Sequence, residues 1–303
     1  MTDALRVEGL TKAFGKEKLA VDGLTFSVGK GEFKALLGPN GSGKSTTIKM
    51  CCNLLEPTSG TVMIDGRDIS EDPVEALSRM GCVVETPALY RDRTPVQTLE
   101  YICRLRGMDR ETSASETSRV LEIVGMADDA DRNFGRLSKG MRQRLSLAQS
   151  LLGDPSILIL DEPTSGLDPK GISEVEEILR GLNVGGMSIL MSSHMLREVE
   201  RTCQSYVFIR HGRKVREGVV GSGGTSEVVV TFTRLLDGGE LNTLRSISRV
   251  TSIDGYTAVM EAVGKEGGRM LMRRIVSAGL PACWIRPGDD LEDLFMEGDG
   301  DVQ

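Results

Sequence analysis

The sequence predicts an α/β domain interrupted by a block of helices and followed by a smaller α+β unit. Three observations carry this expectation. Strand-like apolar segments alternate with helix-like ones from Phe33 to Leu55 and again from Ile157 to Glu217. Between Pro95 and Leu152 the apolar residues recur at helical spacing instead. A Gly- and Ser-rich break at Val219–Ser226 then precedes a further set of short elements. The expected division is 1–220 for the main domain, with its helical part at about 88–154, and 221–303 for the linker and accessory domain. A chain of 303 residues is long enough to bury both cores.

Taken in order, Arg6–Leu10 and Leu24–Val28 alternate apolar and polar residues as half-exposed strands do. Phe33–Leu37 reads as a buried strand running into a glycine-rich turn, with a helix expected from Ser45 to about Leu55, stopped by Pro57. Thr61–Ile64 reads as a strand with Asp65-Gly66 as its turn. In the helical block the periodicity is carried by Val96, Leu99, Ile102, Cys103 and Leu105, and then by Val120, Leu121 and Val124. Strands are expected at Ile157–Leu160, Ser188–Met191, Ser205–Arg210 and Lys214–Glu217, with a helix over Ile172–Leu182. Beyond the break, strands at Val228–Phe232, Arg249–Ile253, Tyr256–Ala262 and Ala282–Ile285 and helices at Glu240–Ile247 and Gly268–Ala278 give the order β-α-β-β-α-β, which suggests a ferredoxin-like sandwich.

A composition of 39% hydrophobic and 27% charged residues is that of a globular chain. The net charge of -7 argues against a nucleic-acid surface, which needs clustered Lys and Arg. Apolar runs such as Ile157–Leu160 are strand-sized, far short of the ~20 residues a membrane helix requires, so a membrane role would be served through a partner. Met1–Leu10 has no secretory-signal pattern. The six cysteines show no C-x-x-C spacing, and reduced, mostly buried thiols in a cytoplasmic protein are expected.

Gly38-Pro39-Asn40-Gly41-Ser42-Gly43-Lys44-Ser45 fits G-x-x-x-x-G-K-[ST] between a strand and a helix, and Thr46 follows it in the helix. Glycines let backbone N–H groups turn toward phosphate oxygens, and the helix N-terminus adds partial positive charge. Lys44 is placed for β- and γ-phosphates and the Ser45 hydroxyl for Mg²⁺. In Ile157-Leu158-Ile159-Leu160-Asp161-Glu162 an apolar strand delivers two carboxylates to its C-terminal end, where ligands bind in parallel sheets. Asp161 suits Mg²⁺ through water, and Glu162 suits activation of the attacking water. Together these define a phosphate-loop (P-loop) NTPase core.

Leu137-Ser138-Lys139-Gly140-Met141 resembles the signature segment of the ABC ATPases, whose consensus is Leu-Ser-Gly-Gly-Gln. Lys139 and Met141 depart from it, while Ser138 and Gly140 agree. Ser165-Gly166-Leu167-Asp168 resembles the family's D-loop, His194 its switch histidine and Phe14 the aromatic that stacks on adenine. The resemblance spans Phe14 to His194 in the family's order. It implies binding and hydrolysis of ATP with Mg²⁺, catalysis by Glu162, His194 and Lys44, and two nucleotides sandwiched in a dimer across Ser138, Gly140 and Asp168. It also implies an integral-membrane permease as partner and a place on the inner face of the cell membrane. The dimer could hold two copies of this chain or this chain and a related one.

Glu85 stands where the family has a glutamine that contacts Mg²⁺ or the attacking water. A glutamate there resembles a subset of exporter ATPases, as does the closing segment Leu291-Glu292-Asp293-Leu294-Phe295. The implied function is the ATPase of an exporter of drugs, antibiotics or lipophilic compounds. The alternatives are the ATPase of a solute importer with a regulatory C-terminal domain, or a soluble ABC ATPase outside transport.

Overall fold

The computed structural model describes residues 3–15, 18–84, 92–220, 226–262 and 267–287. Its contacts divide the chain into two compact units, Met1–Val220 and Gly221–Gln303.

In the first unit β1 (Asp3–Phe14) and β2 (Lys18–Gly29) form an antiparallel hairpin. β3 (Phe33–Leu37), wholly buried, leads through the glycine-rich turn into α1 (Lys44–Cys51). This helix ends earlier than the sequence suggests, because Asn53 takes a left-handed conformation at φ 54° just beyond the Cys52 cap. β4 (Ser59–Ile64) and β5 (Arg67–Asp68) return to the hairpin, giving a four-stranded antiparallel sheet in the order β2-β1-β4-β5. α2 (Pro73–Ser78), capped by Asp72, leads to β6 (Met80–Val83). Neither of these two elements is among the sequence expectations.

The helical block continues the chain as α3 (Pro95–Leu105), α4 (Arg110–Ile123) and α5 (Lys139–Ser150). Each starts on a side-chain cap, Thr94 with Gln97 in a reciprocal capping box, Asp109, and Ser138. The chain then returns through β7 (Ile157–Asp161), α6 (Pro169–Val184), β8 (Ser188–Ser193), α7 (Leu196–Thr202), β9 (Ser205–Arg210) and β10 (Arg213–Val219). The second sheet runs β10-β9-β3-β8-β7-β6, parallel except for the β10 edge. β3, β8 and nearly all of β7 are buried, as a parallel sheet covered on both faces demands. The strand register sets Leu37 beside Ser193 and Asp161 beside Ser192. The C-terminal ends of β3, β7 and β8 therefore meet at one edge of the sheet.

The second unit holds β11 (Ser226–Phe232), α8 (Gly238–Ile247), β12 (Val250–Asp254), β13 (Thr257–Ala262), α9 (Gly267–Ser277) and β14 (Ala282–Pro287). Its sheet runs β12-β13-β11-β14 with every pairing antiparallel. Val228, Val230, Phe232, Ala258 and Met260 point to one face at period two and pack with Leu244, Leu271 and Ile275 from the helices.

Candidate active site

The turn between β3 and α1 is shaped by close backbone approach. A Cβ on Gly38 would lie 2.3 Å from the Ile209 carbonyl, and one on Gly43, at φ 106°, 2.5 Å from the Ala20 carbonyl. Neither position has room for a side chain. Lys44 opens α1 and is buried; its ammonium donates to the carbonyls of Gly38 at 2.9 Å and Pro39 at 3.1 Å. Burial pulls its pKa below the ordinary lysine value, and Glu162 and Asp161 recover only part of the shift. A buried ammonium held by neutral carbonyls gains from an anion brought to it.

The rest of the turn is poised in the same sense. The Ser42 hydroxyl is buried with no hydrogen-bond partner among the described residues. No described side chain caps α1, and no acidic residue occupies its first turn, so its positive end stays available. Asn40, Gly41 and Ser45 are exposed, and Pro39, Gly43 and Thr46 half-buried, around that opening.

β7 ends at the same edge. The Ser192 hydroxyl donates to Asp161 Oδ1 at 2.6 Å and accepts the Glu162 N–H at 2.9 Å, stitching the ends of β7 and β8 together. Glu162 takes a left-handed conformation, φ 46°, uncommon for a residue with a side chain. That turn carries its carboxylate to 3.6 Å from Lys44 Nζ and 3.1 Å from His194 Nδ1. The structure thus brings Lys44, Asp161, Glu162 and His194 to one place.

Phe14 closes β1, paired with Lys18 and half exposed, with Lys12 Nζ 5.5 Å from its ring centroid. Ala20, two residues beyond Lys18 on β2, contacts the phosphate turn, so the hairpin end carrying Phe14 adjoins that turn.

Ser138 accepts the Met141 N–H at 3.2 Å as the N-cap of α5, and Asp168 accepts the Gly171 N–H at 3.2 Å as the N-cap of α6. Lys139 Nζ donates to the Gly166 carbonyl at 3.0 Å and ties these two helix starts together. Gly140 lies in the first turn of α5. No described hydrogen bond or ion pair joins Ser138 or Gly140 to the phosphate turn. Arg142 donates to the Leu137 carbonyl and covers the Phe134 ring, and Arg144 donates to the Gly125 carbonyl, so both serve the signature helix. Glu85 lies outside the described residues. Sequence reasoning missed Ser192; the parallel register placing it beside Asp161 is the signal that identifies it.

Residues 21–165 match the family described as ABC transporter. The chain is 41% identical over 289 residues to the Nod factor export ATP-binding protein I of Burkholderia orbicola (strain AU 1054), covering 94% of this chain and 93% of that protein. The chain belongs to the ATP-binding subunits of ABC transporters. This ABC ATPase is also 38% identical over 218 residues to the bacitracin transport ATP-binding protein BcrA of Bacillus licheniformis, covering 72% of this chain and 70% of that protein. Among solved structures it resembles cbiO1 from Clostridium perfringens, part of the ABC transporter complex cbiONQ, at a TM-score of 0.67 and 27% identity over 72% of this chain and 89% of that one. The ABC ATPase core is therefore an ATP-binding, ATP-hydrolysing cassette on a P-loop α/β fold. Among the described residues no helix is long and apolar enough to cross a membrane.

Proposed function

We propose that this ABC ATPase powers an exporter, hydrolysing MgATP at the edge where β3, β7 and β8 end, in a dimer docked on a separate integral-membrane permease at the inner face of the membrane. The observation that carries the chemistry is the Glu162 carboxylate, held in a left-handed turn between Lys44 at 3.6 Å and His194 at 3.1 Å. Lys44 exchanges its carbonyl partners for β- and γ-phosphate oxygens, the N–H groups from Asn40 to Thr46 surround the phosphates in the turn that Gly38 and Pro39 open, and Phe14 stacks on the adenine. Glu162 takes the proton of the attacking water, a task worth roughly 10²- to 10⁴-fold in rate. His194 holds that carboxylate and meets the γ-phosphate.

The donor set fits Mg²⁺. The Ser45 hydroxyl is exposed at the start of α1, and Asp161 has only Oδ1 engaged by Ser192. Ser45 and Asp161 would hold the ion, with Glu85 a further candidate, and the ion would neutralise charge on the β- and γ-phosphates. Ser138, Gly140 and Asp168 would close over the nucleotide bound by the opposite subunit, whether a second copy or a related chain.

Support for export comes from the extent of the similarity to the Nod factor export protein, which at 94% of this chain includes residues beyond Val220. We take 1–220 as the ATPase domain, its helical part at about 88–154, and 221–303 as the linker and accessory domain. The accessory domain reads as ferredoxin-like, supported by its β-α-β-β-α-β order and antiparallel sheet. The cargo would belong to the drugs, antibiotics and lipophilic compounds. The test is ATP turnover by the purified chain, alone and reconstituted in liposomes with the membrane protein that co-purifies with it, together with uptake of labelled lipophilic antibiotics into inside-out vesicles. Turnover that the membrane subunit stimulates, with ATP-driven uptake, is expected. A chain that binds ATP without turning it over in either setting would overturn the proposal.

A further inference from the structure

Behind the Glu162–His194 contact lies a buried carboxylate with no part in the proposed chemistry. Glu198, on α7, is only 4% exposed, and no ion pair among the described residues neutralises it. Both of its oxygens are nevertheless engaged. The Thr164 hydroxyl donates to Oε1 and the Ser193 hydroxyl to Oε2. Thr164 lies two residues after Glu162, and Ser193 immediately precedes His194. Ser193 Oγ also accepts the Met195 N–H at 2.9 Å, which fixes the turn that carries His194 out of β8. Glu198 itself is anchored in α7, where its carbonyl accepts the Thr202 hydroxyl at 2.7 Å.

These contacts close a circuit. From Glu162 the chain runs to Thr164, crosses through the Glu198 carboxylate to Ser193, continues to His194, and returns to Glu162 through the 3.1 Å contact. Ser192 already stitches the strand ends; Glu198 stitches the two loops beyond them, one carrying each member of the pair. Burying an ionised carboxylate against two neutral hydroxyls is a costly way to fill space. Charge-assisted hydrogen bonds from two separate segments are a strong way to fix their separation.

We infer that Glu198 is a positioning residue for hydrolysis, holding the loops after β7 and β8 at the spacing that keeps His194 on the Glu162 carboxylate. The inference rests on the assignment of Glu162 and His194 to catalysis. An amide at this position keeps the volume but puts an N–H₂ donor where one hydroxyl now donates, so that hydroxyl must turn and accept instead; one arm of the bridge is reversed and both lose the carboxylate's charge.

The experiment is a double-mutant cycle on the full chain with Glu198→Gln and His194→Ala, measuring kcat, KM for ATP and the unfolding midpoint. Glu198→Gln should lower kcat by roughly 10- to 100-fold, the scale of a small misplacement of reacting groups, with KM within about threefold. In the His194→Ala background the same substitution should change kcat less than about twofold, because the member it positions is gone. Thr164→Val removes one hydroxyl with the shape kept, and should show the same kcat loss and the same dependence on His194 if Glu198→Gln does not fold. Wild-type kcat in a folded Glu198→Gln or Thr164→Val chain, or a loss that multiplies fully with that of His194→Ala, overturns the inference. Wild-type turnover in His194→Ala itself instead removes the catalytic assignment, and the inference falls with it.

Discussion

Glu162 combines a functional role with a backbone conformation that a side chain disfavours, and the two are separable by comparing Glu162→Gly with Glu162→Ala. Both variants delete the carboxylate and with it the contacts to Lys44 and His194, so those losses cancel in the comparison. What remains is the left-handed turn at φ 46°. For a residue with a Cβ that conformation costs about 1–2 kcal/mol relative to right-handed backbone. Glycine adopts it freely, but gives back about 0.4–1 kcal/mol through the larger entropy of its unfolded chain. The glycine variant should therefore be the more stable by about 1 kcal/mol, the reverse of the usual preference for alanine. In a domain of this size that corresponds to a melting temperature higher by roughly 2–4 °C. Thermal unfolding followed by circular dichroism, side by side and without nucleotide, reads the difference, while neither variant should hydrolyse ATP. An alanine variant as stable as the glycine variant, or more so, would show that the turn after β7 stores no strain.

Phe14→Ala should weaken ATP binding by about 1 kcal/mol, near fivefold, with Phe14→Tyr nearly silent; equal affinity by fluorescent-nucleotide titration in wild type and Phe14→Ala would return the ring to plain packing. A hydrogen bond with Cys52 brings the Cys82 thiol down to about 7, and since the thiolate is the reactive form, alkylation of this exposed cysteine should rise with pH through a midpoint near that value. Cys52→Ala should move the midpoint upward, and an unmoved midpoint contradicts the pairing. A chain ending at Val220 should remain folded and bind ATP, because every described nucleotide-site residue precedes that position; insoluble protein, or loss of ATP binding, would join the two units into one core.

Much of the site was legible in the sequence because its chemistry is local. The turn from Gly38 to Ser45 and the strand ending in Asp161-Glu162 each carry their geometry within a few residues, and β3 and β7 lie where the apolar runs place them. What stayed hidden depends on distant contacts or on short elements. α2 spans six residues with only Ala76 buried, and β6 spans four without polar alternation, so neither shows a period. β1 and β2 extend beyond their alternating cores because register shifts, such as the one between Leu10 and Lys12, break the pattern. The separation of β1, β2, β4 and β5 into their own sheet rests on pairings such as Leu5 with Ile64, far apart in the chain. Leu196-Arg197-Glu198-Val199-Glu200-Arg201-Thr202 reads as an ordinary charged helix. Nothing in that string distinguishes Glu198, which folding buries, from Glu200, which it exposes.

The central claim is that Glu162 takes the proton of the attacking water, and single-turnover hydrolysis of labelled ATP by Glu162→Gln tests it most directly. The amide keeps the shape but cannot act as a base. ATP should bind with near wild-type affinity and remain uncleaved, with the hydrolysis rate lowered by at least about 10²-fold and the ATP-bound chain eluting as a dimer on size exclusion. Hydrolysis at close to the wild-type rate in Glu162→Gln would contradict the account.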